Sequence, residues 1–331
     1  MNLKNKKIVV TGGTGLIGRE LIESLLTKNP SEVQVVSLDD KSRSHPDCKF
    51  LQMDLRIKEN CAKVVKGMDI VMHLMGNKGS PKMAKEKPAD MFVSHLQCNT
   101  NMMNEAFLAD VEWYLFTSTG GVYHPAPIMK EDDVWKTMPS EHDWFPGWAK
   151  RMGELQAEAY KIQYGWNKVS IVRPSSIYGK YDNFDPINSQ VIPTLIRRIV
   201  NKESPLVVWG DGSPIRDFMH AKDCADAMIL IVEKEITYPV NISSGKPTSI
   251  KELVSTLIDV TEEKPPIVWD TTKPAGDSLR LLDATRLTKL GFSPKISLSD
   301  GLKEVYEFYK NPENRIIVDK GYNIFNEEHK K

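Results

Sequence analysis

Gly12, Gly15 and Gly18 stand three residues apart in VTGGTGLIGRELIESLL, directly after the β-branched run KIVV. Glycine lets the backbone come close to a bulky anion, and a helix that starts there offers free N–H groups and the positive end of its dipole. The chemistry so provided is the binding of a pyrophosphate. Asp39 follows the next β-branched run, VQVVSL, and a carboxylate there accepts hydrogen bonds from adenosine ribose hydroxyls while repelling a 2′-phosphate. A glycine triplet alone is a weak signal, since tight turns use the same residues. The strand before it, the helix after it and the acid beyond predict a dinucleotide site, with NAD favoured over NADP. The counterweight is KSR, because Lys41 or Arg43 could pair with that phosphate unless the loop is simply solvated.

These residues need a sheet to hold them. The runs KIVVTG, VQVVSL, KFLQMD, DIVMHLMG, WYLFTST and KVSIVRP alternate with helical patterns near 15–28, 57–66, 90–110 and 148–165. That alternation predicts an α/β fold, a Rossmann-type doubly wound parallel sheet, over residues 1–175 with part of 217–245. Leu16 and Ile17 then open the first helix beside the glycines. Asp54 and Leu55 follow the third strand near the adenine position, and Leu74, Met75 and Gly76 follow the fourth near the cofactor backbone, unless either is only turn chemistry. After Pro174 the chain loosens into PSSIYGKYDNFDPINSQVIP, which predicts a smaller mixed α/β substrate lobe over 176–216 and 246–318. Residues 319–331, ending FNEEHKK, read as a frayed tail.

Composition narrows the partners. The 331 residues, 40% apolar, can bury a large core, and the balance of 44 basic against 44 acidic residues removes a whole-chain argument for nucleic acid or an anionic membrane. Cys48, Cys61, Cys98 and Cys224 are too scattered for a zinc site or a disulfide framework and predict reduced thiols. MNLKNKKIVVTGG is too short in apolar residues for a signal segment or membrane span, so a cytosolic protein is expected.

Taken together, the glycine pattern, MDLR, HLMG, TSTGGVY, the lysine of GWAK and RPSSIYG resemble an extended short-chain dehydrogenase/reductase of the NAD-dependent epimerase/dehydratase family. VVWGDGSPIRDFMHAKD, YDNFDPINSQVIPTLIRR and WDTTKPAGDSLRLLDATRLTKLGF are similar to its GDP-fucose synthase branch, which acts on a GDP-4-keto-6-deoxy sugar. The resemblance implies that Thr119 hydrogen-bonds the reacting oxygen, that Lys150 holds the nicotinamide ribose, and that Arg173 lies beside the cofactor. It also implies that Arg216 contacts the substrate diphosphate, that Arg280 faces the substrate, and that Asn183, Asn188, Val191 and Trp209 belong to the nucleotide-sugar half. A homodimer through the helices near 90–110 and 147–165 is implied as well.

The departures are equally specific. Pro146 occupies the place of the family's catalytic Tyr, four residues before Lys150 and so on the same helical face. Gly120 and Gly121 stand where family dehydratases carry an acidic pair; Gly121 also replaces the epimerising Cys, and Gln190 the epimerising His. Candidate proton-handling groups that remain are Tyr123, His124, His142 and Lys150 itself. The expected function is an NAD(P)-dependent nucleotide-sugar oxidoreductase or epimerase, on a GDP-linked 4-keto sugar, with a non-standard proton donor. The alternative is an impaired enzyme that binds dinucleotide and nucleotide sugar as the partner or regulator of a relative.

Overall fold

The computed structural model describes residues 1–76, 86–273 and 277–319; the expected tail lies outside them from residue 320 on. The first half runs β1 (Lys7–Thr11), α1 (Leu16–Leu26), β2 (Glu32–Ser37), β3 (Lys49–Gln52), α2 (Lys58–Val65), β4 (Ile70–His73), α3 (Pro88–Leu108), β5 (Trp113–Thr117), α4 (Trp144–Tyr164) and β6 (Val169–Pro174). The second runs β7 (Ser176–Tyr178), α5 (Val191–Val200), β8 (Leu206–Trp209), β9 (Ile215–His220), α6 (Ala221–Glu233), β10 (Val240–Ile242), β11 (Pro247–Ser249), α7 (Ile250–Val260), β12 (Ile267–Asp270), β13 (Leu279–Arg280), α8 (Thr285–Lys289), α9 (Leu298–Lys310) and α10 (Pro312–Asp319).

Seven strands form one sheet in the order β3-β2-β1-β4-β5-β6-β10, and every pairing in it is parallel. Buried on both faces, β4 (IVMH) and β5 (WYLFT) read as continuous apolar runs rather than alternating ones, as parallel sheets require. One face packs Leu21, Ile22 and Leu25 of α1 with Cys224, Met228 and Ile231 of α6, and the other packs residues of α2, α3 and α4 such as Val64, Met102 and Ala157. Strand order reverses between β1 and β4. In a doubly wound sheet the ligand crevice lies outside the carboxyl ends of the strands at that point, which places Gly12, His73 to Gly76 and Thr119 on its rim.

The remaining strands form smaller sheets. β9 pairs with β11, β13 and β7, and β8 pairs with β12, around a separate core that includes Phe184, Ile196, Leu253, Leu302 and Tyr306. Helix α4 starts at Trp144, earlier than the sequence pattern predicts, so that Pro146 falls at its third residue. The first four N–H groups of a helix have no intrahelical acceptor, so a proline there sacrifices no bond. At the other end Gly165, at φ +66°, caps the helix through N–H donation to the carbonyls of Tyr160 and Lys161. No helix among the described residues is long and apolar enough to cross a membrane, and no group of three metal-ligating side chains occurs among them.

Candidate active site

The glycine turn is forced by crowding. Gly12 has φ +69°, and a Cβ on it would lie 3.3 Å from the backbone of Leu74 and Met75; a Cβ on Gly18 would overlap the Gly12 carbonyl. Gly15 precedes α1 as an extended cap residue, with no side-chain acceptor for the first helical N–H groups. The Leu16 and Ile17 amides therefore stay available to an anion beside the turn. Asp39 lies next to it, accepting a 2.5 Å hydrogen bond from Thr14 Oγ1 and standing 3.5 Å from Arg43 Nε. Arg43 is 10% exposed at its side chain and also donates to the Ile317 carbonyl, which corrects the expectation of a solvated loop. Burial lowers the pKa of nearby Arg19, and Arg43 adds to the effect. Asp54 does not reach out in the same way: its carboxylate is gripped by Arg56 through Nε (3.0 and 2.9 Å) and Nη2 (2.7 Å). The side chain of Leu55 is wholly buried.

Between β4, α3 and α4 lies a buried polar cluster. Asn99 Oδ1 accepts from His73 Nε2 at 3.0 Å, so His73 Nδ1 is the unprotonated nitrogen and accepts from Thr11 Oγ1 at 2.8 Å. Thr11 Oγ1 in turn takes the Met75 amide, which fixes the backbone at the end of β4. Burial first, and Lys150 second, push His73 down to about 3, so it is neutral. Lys150 is buried, and its Nζ donates to the carbonyls of Thr117 (2.8 Å) and Met75 (3.3 Å). Burial lowers its pKa from 10.5 to about 8, opposed by Cys98 and Glu154. A side chain on exposed Gly76 would meet both Lys150 Nζ (3.7 Å) and His95 Nε2 (3.3 Å), so both nitrogens face the cofactor segment. Sequence reasoning missed His95. Its place on the face of α3 shared with Asn99, four residues on, was the signal that could have found it.

Thr119 caps the turn over Gly120–Val122, its hydroxyl accepting the Gly121 amide at 3.2 Å. It therefore lies at the carboxyl end of β5, one strand from Met75. Two other expected site residues serve the fold instead. Tyr123 is buried, its hydroxyl donating to Asn241 Oδ1 at 2.5 Å and accepting from Arg173 Nη1 at 2.8 Å, while burial pushes its pKa up. A phenol committed on both sides has no proton to give a ligand. Arg173 is likewise corrected: it is completely buried, its Nε and Nη2 bonded to Glu154 (2.9 and 2.6 Å) and its Nη1 also to the Glu131 carbonyl, leaving no fork for a cofactor. His124 is exposed on the loop, and His142 Nε2 stands 3.3 Å from Asp277.

In the second lobe Arg216 of β9 and Arg280 of β13 are direct neighbours in parallel register. Arg280 pairs with Asp143 and Asp277 at 2.8 and 2.7 Å. Among the described residues no carboxylate pairs with Arg216, which donates only to the Ile215 carbonyl; burial and then Arg280 lower its pKa. Two guanidinium groups thus stand side by side, one of them without a carboxylate hydrogen-bond partner among the described residues. Asn183 and Asn188 shape the loop before α5 through turns centred on Asp185, and Val191 opens that helix behind Gln190. Trp209, at the end of β8, is 60% exposed.

Comparison with known proteins fits this geometry. The model of the NAD dependent epimerase/dehydratase family matches residues 8–243. The chain belongs to that family. Within it, GDP-L-fucose synthase 1 of Arabidopsis thaliana is 34% identical over 324 residues, covering 95% of this chain and 97% of its own. GDP-L-fucose synthase of Escherichia coli is 33% identical over 245 residues, 69% and 76% of the two chains. Among solved structures, a GDP-6-OMe-4-keto-L-xylo-heptose reductase from C. jejuni superposes with a TM-score of 0.81 at 24% identity over 92% of this chain and 98% of its own. The protein is thus an NAD(P)-dependent epimerase/reductase of the extended short-chain dehydrogenase/reductase type.

Proposed function

We propose that the protein moves a hydride between a dinucleotide and a GDP-linked sugar through a 4-keto form, with Lys150 supplying the proton that a tyrosine would otherwise supply. The observation that carries this is Lys150 itself: a buried amine, poised to ionise near neutrality, at the carboxyl ends of β4 and β5 beside Gly76 and within the same crevice as Thr119. The bound dinucleotide would supply or take the hydride. Gly12, Gly15, Gly18 and the amides of Leu16 and Ile17 would hold its pyrophosphate, Asp39 its adenosine ribose, and Leu74 to Gly76 its backbone. Arg216 and Arg280 would hold the diphosphate of the sugar nucleotide, with Asn183, Asn188, Val191 and Trp209 around the base. The GDP-L-fucose synthases among the relatives support GDP as the nucleotide. Exposed Leu108, Leu155, Ile162 and Tyr164 on the α3–α4 pair support a homodimer across that face.

Two measurements test the ligands. Arg216→Ala should weaken binding of GDP-sugar at least about tenfold, because a charged bidentate contact contributes about 1.5–3 kcal/mol, while NAD binding stays nearly unchanged. Loss of NAD binding alone would place that arginine elsewhere. For the cofactor, NAD should bind more tightly than NADP, and Asp39→Ala should narrow the gap by removing the charge that repels a 2′-phosphate. A preference of the natural protein for NADP would give Arg43 and Arg19 the deciding role instead.

A further inference from the structure

A carboxylate fills the space that a glycine leaves on the turn after Thr119. A Cβ on Gly121 would lie 2.8 Å from the Cβ of Asp143 and 3.0 Å from its Oδ2, so the Asp143 side chain stands where a side chain of residue 121 would be. Gly147 of α4, four residues after Asp143, packs its backbone on the same turn and can have no side chain, since its Cβ would lie 2.6 Å from the Gly121 carbonyl oxygen and 2.8 Å from Pro139 Cβ. Gly121 is also the residue whose amide bonds Thr119 Oγ1. The Asp143 carboxylate and the Thr119 hydroxyl therefore both stand beside Gly121, at the strand ends where this kind of sheet holds its ligand.

The carboxylate is held there by a group with a second use. Asp143 Oδ2 takes Arg280 Nη2 at 2.8 Å, the same nitrogen lies 2.7 Å from Asp277 Oδ2, and Arg216 is the cross-strand neighbour of Arg280. A diphosphate between the two arginines competes with both carboxylates for Arg280. Asp143 is the more exposed of the two, 32% against 10% at the side chain, and so the easier to release.

We propose that Asp143 is a catalytic residue, the base that removes and returns a proton at the sugar carbon next to the carbonyl, and that Arg280 holds it until the diphosphate binds. This rests on the reading of the substrate as a 4-keto GDP-sugar. In the step, Asp143 Oδ2 takes the C–H proton, the C–H electron pair forms a carbon–carbon double bond, and the carbonyl pair moves onto oxygen. The enolate oxygen takes a hydrogen bond from Thr119, and the reverse step returns a proton to carbon. No redox equivalent is consumed. Protons on the partly exposed carboxyl exchange with solvent between the two halves of the step.

Deuterium uptake reads this directly. The protein is saturated with NAD, so that no hydride is available, and incubated with GDP-4-keto-6-deoxymannose in D2O while the sugar C–H signals are followed by NMR. The natural protein should exchange a proton adjacent to C4. The Asp143 side chain makes no capping hydrogen bond to α4, so Asp143→Asn keeps the shape and costs the helix start nothing. It should exchange at least about 100-fold more slowly, the scale of positioned acid–base catalysis, yet bind GDP as tightly as the natural protein or more so. Exchange in Asp143→Asn within about tenfold of the natural rate, or loss of its GDP binding, would overturn the proposal. GDP binding by the natural protein without any exchange would overturn it too, whereas failure of the natural protein to bind GDP would sink the substrate reading and this proposal with it.

Discussion

Lys150→Met should abolish turnover of a GDP-sugar, by about 10²–10⁴-fold, while the fold is retained. Methionine matches the length of the buried stem and removes only the ammonium, whose burial is already unfavourable; the carbonyls of Thr117 and Met75 lose a donor, and Met75 lies at the rim where water can replace it. The pH dependence follows from the same burial. A reduction needs the proton on the donor, and the pKa of Lys150 is near 8, so kcat for reduction should fall as pH rises through about 8 rather than near 10.5. Absorbance at 340 nm across that range checks both statements, and residual activity in Lys150→Met should lack the inflection. Pro146→Tyr separates this from the reading in which the protein only binds its ligands, because it restores a phenol one helical turn before Lys150 on the same face. If the natural protein binds both ligands without turnover and Pro146→Tyr gains it, the protein is a binding partner and Lys150 a ribose anchor. If Lys150→Met turns over as well as the natural protein, the donor lies elsewhere.

The contrast between what was legible and what was not follows from distance along the chain. The glycine turn, Asp39 and the strand ends at Leu74 to Gly76 are local features, set by strand-to-helix geometry and apolar periodicity, and a sequence carries those directly. Tyr123 was misplaced because a tyrosine just beyond a strand end looks the same whether its hydroxyl faces a ligand or a buried arginine. What decides is Asn241, which lies 118 positions away and reaches Tyr123 only because β10 joins the far side of β6. Arg173 was misjudged for the same reason. Glu154, its partner, is one turn after Lys150 and on its face, and that spacing was the local sign that the helix carries a second buried charge. Asp143 was invisible as a site residue because its significance lies in a Cβ that Gly121 lacks, a void that no spacing rule describes. Pro146 was legible as part of a helix start, and the first turn of α4 accommodates it.

The largest effect on stability should come from Glu154→Ala, which leaves the guanidinium of Arg173 buried without its partner. Both side chains of that pair are nearly inaccessible, at 1% and 2%, and they meet through two parallel N–H to carboxylate bonds of 2.9 and 2.6 Å. Removing one member of such a pair costs about 3–5 kcal/mol, because the remaining charge keeps its desolvation and loses its compensation. The same carboxylate also accepts from Ser118 Oγ at 2.5 Å, and Ser118 precedes Thr119, so the turn that carries the reacting-oxygen contact is tied to it. Urea unfolding should therefore show a loss of unfolding free energy of that size, read as a lowered midpoint at unchanged slope, and turnover should fall even at temperatures where the variant is folded. Pairing Glu154→Leu with Arg173→Met should recover most of the stability, since a buried pair replaced by apolar side chains of similar volume is often neutral. Recovery of stability without recovery of turnover would show that the pair serves the turn at Thr119 as well as the core. A loss under about 1 kcal/mol in Glu154→Ala would mean that water or a shifted Arg173 satisfies the charge, and that Tyr123 is free to be reconsidered as a proton donor.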